Sequence, residues 1–122
     1  MGKPETIMID DVKYVRSDLA LEMATEVDGM KYCIIRTYSA GVHAGYIGAK
    51  DGKEVTLLNS RRIWKWDGAA SLSELAVEGT SKPENCKFPC EVPTITLTEA
   101  IEIIPCTAKA KKSIKEVPLW KA

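Results

Sequence analysis

The sequence predicts an α+β domain: a strongly twisted antiparallel sheet of about five or six strands, with two or three short helices packed at one side or end. Three observations carry that prediction. Runs rich in β-branched and aromatic residues recur at 31–38, 54–58 and 94–104. Asp51-Gly52 lies between two strand-like segments, the strongest short-range hairpin signal. Capped amphipathic segments near residues 71 and 107 supply the helices. With 122 residues, 45% of them hydrophobic, the chain fills one core, and two domains would each be too small.

Residues 1–12 are polar, mixed in charge and without period, which predicts a flexible arm. Ser17-Asp18 before Leu19, Leu21, Met23 and Ala24 predicts a short helix that Asp28-Gly29 ends as a turn. In 31–38 (KYCIIRTY), alternation sets Tyr32, Ile34, Arg36 and Tyr38 on one side and Cys33, Ile35 and Thr37 on the other. Residues 42–49 form a glycine-punctuated strand joined through Lys50-Asp51-Gly52-Lys53 to the strand 54–58. Gly41, Gly45 and Gly48 fit either a bulged, twisted sheet or the floor of a ligand site.

The next ten residues, NSRRIWKWDG at 59–68, hold two of the three tryptophans. An extended backbone there projects Arg62, Trp64 and Trp66 on one face and Arg61, Ile63 and Lys65 on the other. Ser71 with Glu74 forms a capping box for a helix that turns Leu72, Leu75 and Ala76 inward and stops at Gly79. A loop bearing Pro83, Pro89 and Pro93 leads to 94–104, which Pro105 terminates. Thr107 caps a last short helix through Ile114.

Seventeen basic residues balance seventeen acidic ones, so bulk electrostatics recruits no partner, and both a nucleic-acid coat and an anionic-membrane binder are disfavoured. No apolar run reaches the roughly 18 residues of a bilayer span, and Met1-Gly2-Lys3-Pro4-Glu5 lacks a signal-peptide apolar region. The expectation is therefore an intracellular protein with reduced thiols at Cys33, Cys86, Cys90 and Cys106. Cys86 and Cys90 stand as C-x3-C, but the second tight ligand pair of a structural zinc site is missing, so neither a metal nor a cofactor is expected.

Catalytic patterns are absent too. There is no P-loop, dinucleotide fingerprint, H-E-x-x-H or G-x-S-x-G, and the lone histidine, His43, has no motif-linked nucleophile or carboxylate. Glu99 and Glu102, three apart on a strand, point to opposite faces. The strongest site signal is Arg61-Arg62 with Trp64 and Trp66. Guanidinium groups give planar recognition of phosphate and indoles give stacking area, although the same residues also fit a core with a solvated edge. Gly68, Ala69, Ala70 and Ser71 bring helix N-terminal amides near the arginines, and Arg36, Tyr38 and Ser39 extend the site from the neighbouring strand.

Four segments, RTYSAG at 36–41, NSRRIWKWDGAASLSELA at 59–76, CKFP at 86–89 and LTEAIEIIPCT at 97–107, resemble a family of small bacteriophage and prophage proteins, over roughly residues 31–120. The resemblance implies a setting. Small accessory phage proteins blunt bacterial defences, and one class does so as sponges for cyclic-nucleotide or ADP-ribose signals. The expected function is then counter-defence in the host cytoplasm: a homo-oligomer capturing a small phosphorylated nucleotide without turnover, at Arg36, Tyr38, Ser39, Arg61, Arg62, Trp64, Trp66 and Ser71. Two alternatives stand beside it. One is cleavage of such a nucleotide by His43 with Glu99 or Glu102; the other is a protein–protein module docking on a host or virion protein through the Trp-Arg strand.

Overall fold

The first strand, Tyr32–Thr37 (β1), lies inside the sheet between two neighbours, and its first four residues are all buried. The computed structural model describes residues 22–121, so the expected arm over residues 1–12 and the first part of the 17–28 helix lie outside the described residues. Val42–Asp51 (β2) and Glu54–Arg62 (β3) form the hairpin that Asp51-Gly52 announces, closed by the Asp51–Glu54 pair with Gly52 at φ 60°. Glu91–Leu97 (β4) pairs with β3, and Ala100–Pro105 (β5) with β1, giving one antiparallel sheet in the order β4-β3-β2-β1-β5.

β4 and β5 are opposite edges of this sheet, yet only Thr98 and Glu99 separate them in sequence. Two residues cannot cross a flat five-stranded sheet, whose strands lie about 4.8 Å apart. The sheet is therefore curled. Its closure shows where the Ala100 amide donates to the Lys53 carbonyl at 3.0 Å, joining the start of β5 to the β2–β3 turn. Bulges help: register slips occur twice between β2 and β3, and Asn59 sits at φ 50°, a left-handed conformation asparagine tolerates. At Gly45 a Cβ would stand 3.0 Å from the Ser60 Cα and 3.1 Å from the Leu58 carbonyl oxygen, so its glycine serves close approach of the neighbouring strand.

Curling gives the sheet two cores. Cys33, Ile35, Val55, Leu57 and Leu97 fill one, and Tyr32, Ile34, Ala44, Tyr46 and Ile63 belong to the other, which the helices cover. Leu72–Glu78 (α1) contributes Leu75 and Ala76 to that second core, and Ala108–Glu116 (α2) contributes Ala110 and Ile114. Both caps are as the sequence indicates: Ser71 Oγ accepts from the Glu74 amide and Thr107 Oγ1 from the Ala110 amide.

Two expectations need correction. The helix over 17–28 does not extend through its described part: Met23 makes a β-bridge with Thr107, the Ala24 amide donates to the Cys106 carbonyl, and only the Asp28-Gly29 turn is present. These backbone bonds to a distant segment outweigh local helix propensity. The run 94–104 is two strands on opposite edges, because it breaks at Thr98-Glu99 where the chain crosses the open side of the curl.

Candidate functional site

Adjacent strand residues point to opposite faces, and Arg61 and Arg62 show the consequence. Arg61 pairs with Ala44 on the helix-covered face and is only 6% exposed. Its Nε donates to the Pro89 carbonyl at 2.9 Å, Nη1 to that of Ile114 at 2.9 Å, and Nη2 to those of Phe88 at 3.0 Å and Pro118 at 3.3 Å. The guanidinium also lies 5.4 Å from the centre of the Phe88 ring. A planar fork that binds four carbonyls from two loops and the end of α2 is a fastener of the fold, and its donors face backbone rather than solvent.

Arg62 is exposed. It pairs with His43 across the sheet, and Nη1 donates to the Ala40 carbonyl at 3.1 Å; among the described residues the rest of the fork has no partner. The same carbonyl accepts from His43 Nε2 at 2.9 Å. His43 itself is 1% exposed; burial holds its imidazole below the ordinary value, the bond to Ala40 opposes that shift, and the Arg62 charge reinforces it. A neutral, enclosed ring bonded to a carbonyl has no access to a substrate proton.

Trp64 follows at the end of β3. Its amide donates to the Lys87 carbonyl while the residue stays 63% exposed, and Ile63 beside it is buried. Tyr38, 78% exposed, lies in the turn after β1 that Thr37 organises: its Oγ1 donates to the Gly41 carbonyl and accepts from the Ala40 amide. Tyr38, Arg62 and Trp64 thus project from one end of the sheet.

The other expected site residues face elsewhere or, like Ser39 beside Tyr38, are already engaged. Arg36 pairs with Val42 on the opposite face from Arg62, its Nε donating to Glu102 Oε1 at 2.9 Å. Ser39 Oγ donates to Glu99 Oε1 at 3.3 Å. Trp66 is half-buried against the helix-side core, and Ser71 has its oxygen engaged in the α1 cap. Loop segments clasp one another just past Trp66. The Asn85 amide and then the Gly68 amide bind the Asp67 carboxylate and hold it below its ordinary value. The Asp67 amide donates to Cys86 Sγ at 3.4 Å. Cys86 is buried and Cys90 exposed, and no cluster of metal-ligating side chains occurs among the described residues.

A second constellation lies on α2. Ala108, Lys111, Lys112 and Lys115 share one helical stripe and, with Ala24 and Thr25, line a groove of about 230 Å³. Lys111 Nζ stands 4.9 Å from the Tyr46 ring centre and 5.8 Å from that of Tyr32; Lys115 Nζ stands 5.7 Å from both. The rings meet edge to face at 5.1 Å.

Comparison with known families gives one match, to a domain of unknown function, DUF6948, over residues 30–114. The chain belongs to that family. The DUF6948 match takes in Tyr38, Arg61, Arg62, Trp64, Lys111 and Lys112, while Lys115, Pro118 and Trp120 fall beyond it. No curated protein and no solved structure matches the chain. Among the described residues no helix is long and apolar enough to cross a membrane.

Sequence reasoning did not single out Lys111, Lys112, Lys115, Tyr32 or Tyr46. The spacing 108, 111, 112, 115 was a visible signal for a shared helical face. What that face would meet was not, because Tyr32 and Tyr46 come to it from strands more than sixty residues earlier.

Proposed function

We propose that this domain is a binding module that docks on a protein partner through Trp64, flanked by Arg62 and Tyr38. One observation carries the reading: Trp64 is 63% exposed at the end of a strand whose neighbouring side chain, Ile63, is 3% exposed. Tryptophan, tyrosine and arginine together are the residue types that dominate protein interfaces. The surface around them fits a protein better than a small ligand. A small-molecule site is concave and encloses most of its ligand, whereas Trp64 and Tyr38 stand 63% and 78% exposed. The partner would offer an apolar pocket for the indole and a carboxylate rim for the open guanidinium of Arg62. His43, enclosed against Ala40, speaks against the cleaving alternative.

The phage setting implied by the resemblance, with a host or virion protein as target in the host cytoplasm, belongs to this proposal. Capture of a phosphorylated nucleotide is a second reading, favoured by the lysine groove on α2 rather than by the arginine pair. The test is affinity capture from host cells with the full chain and with Trp64→Ala and Arg62→Ala, followed by titration of the purified partner. The expected result is at least a tenfold loss of affinity in each variant with an unchanged unfolding midpoint. A partner retained equally by both variants would overturn it.

A further inference from the structure

The chain carries no net charge, yet among the described residues the α2 groove is lined by three lysines and no acidic residue. Lysine ammonium groups normally spread apart in solvent. Here Lys111 and Lys115 both lie against the Tyr32–Tyr46 ring pair, each within 5.8 Å of both ring centres. The aromatic faces offset part of the cost of holding two like charges together. A carboxylate offsets another part for Lys115 alone, through Glu91 Oε2 at 3.2 Å. Among the described residues neither Lys111 nor Lys112 has a carboxylate within 4.0 Å. The Tyr32 hydroxyl, on a residue 1% exposed, has no hydrogen-bond partner either. Among the described residues, Glu91 is the single carboxylate set against the three lysines of this concavity.

We infer that this groove is a binding site for a small phosphoryl dianion, held by Lys111 and Lys112 and closed at its side by Thr25. Among the described residues, three ammonium charges against the one carboxylate of Glu91 leave a net charge of two, which a phosphate monoester or a doubly esterified diphosphate matches and a single carboxylate does not. Lysines bind phosphate as point charges and impose no planar geometry, which suits a tetrahedral group. The groove holds one or two phosphates. A nucleic-acid backbone would need a longer basic track, and the net charge of zero supplies none.

The experiment is titration of the full chain with inorganic pyrophosphate by isothermal calorimetry at low salt, alongside Lys112→Gln, Lys111→Gln/Lys112→Gln and the control Lys50→Gln. Lys112 and Lys50 are both exposed, so neither single variant perturbs the core. Saturable binding at one site is expected, at least tenfold weaker in Lys112→Gln, abolished in the double variant and within twofold of wild type in Lys50→Gln. Trp64→Ala should bind pyrophosphate like wild type, which separates this site from the protein-docking face. No saturable binding, equal weakening in Lys50→Gln and Lys112→Gln, or preference for a DNA duplex over pyrophosphate would each overturn the inference.

Discussion

Replacing Arg61 by alanine should cripple the fold, while replacing Arg62, one residue away, should leave it almost untouched. Three of the Arg61 bonds are short, at 2.9, 2.9 and 3.0 Å, and their acceptors are backbone carbonyls of Pro89, Ile114 and Phe88. Hydrogen bonds to a charged group contribute about 1.5 kcal/mol each at the lower end, so losing three costs roughly 4–5 kcal/mol. A domain of this size has about 5–15 kcal/mol in total and loses about 3–5 °C of melting temperature per kcal/mol, so Arg61→Ala should melt at least about 12 °C lower, or fail to fold. Among the described residues Arg62 makes one exposed bond, to Ala40, and its removal should cost under about 1 kcal/mol. Arg61→Lys keeps the charge without the fork and should fall between the two. Thermal and urea unfolding of the full chain, followed by circular dichroism, measures all three. An Arg61→Ala protein within 1 kcal/mol of wild type, or an Arg62→Ala protein as damaged as Arg61→Ala, would refute the assignment of Arg61 to the fold.

Three further outcomes are expected. His43 is held neutral by burial, so the unfolded chain binds its proton more readily; its contribution is fully present above about pH 6.5 and is lost as the pH falls toward the lowered folded-state value. Urea titrations at pH 7.5 and 5.5 should show a smaller difference for His43→Gln than for wild type. Burial pushes the Cys33 thiol up to about 11 and the Cys106 thiol up to about 12, whereas Cys90 is exposed, so a thiol reagent should label Cys90 first in the native protein and the buried pair only on unfolding; mass spectrometry of the labelled peptides decides it. Gly68→Ala should cost about 3 kcal/mol, because Gly68 sits at φ 82° and a Cβ there would lie 2.5 Å from the Lys82 amide nitrogen; urea unfolding measures the loss.

Local signals were legible. The Asp51-Gly52 hairpin and the Ser71 and Thr107 caps depend on neighbours within four residues, and each is present. Alternation separated buried Arg61 and Ile63 from exposed Arg62 and Trp64, but it failed past the strand end at Arg62: Trp66, expected beside Arg62, packs with Ile63 on the helix-side core, and Lys65 is exposed. Which of those faces is covered was not legible, since the cover arrives from Phe88, Pro89, Ile114 and Pro118, 27 to 57 residues further along. Arg36 and Arg62 look like partners in sequence because both end strands near aromatic residues; register sends them to opposite faces. The break at Thr98-Glu99 is hidden because β4 and β5 share the same β-branched composition on either side of it. The α2 lysines carry no signal of a site in sequence, and the tertiary packing of Tyr32 and Tyr46 brings two of them together.

The Arg61 fastener also sets a timetable for synthesis. A chain emerging from the ribosome exposes β1, β2 and β3 first, and the β2–β3 hairpin can form at once because its strands are adjacent. β1 can pair with β2 early, but its other edge must wait for β5, and Arg61 must wait for the carbonyls of Ile114 and Pro118. Until residue 118 has cleared the exit tunnel, a guanidinium destined for the interior remains in water and the helix-side core stays open. A ribosome stalled before that point would hold a partly formed sheet with two unprotected edges, a state suited to chaperone capture and to proteolysis.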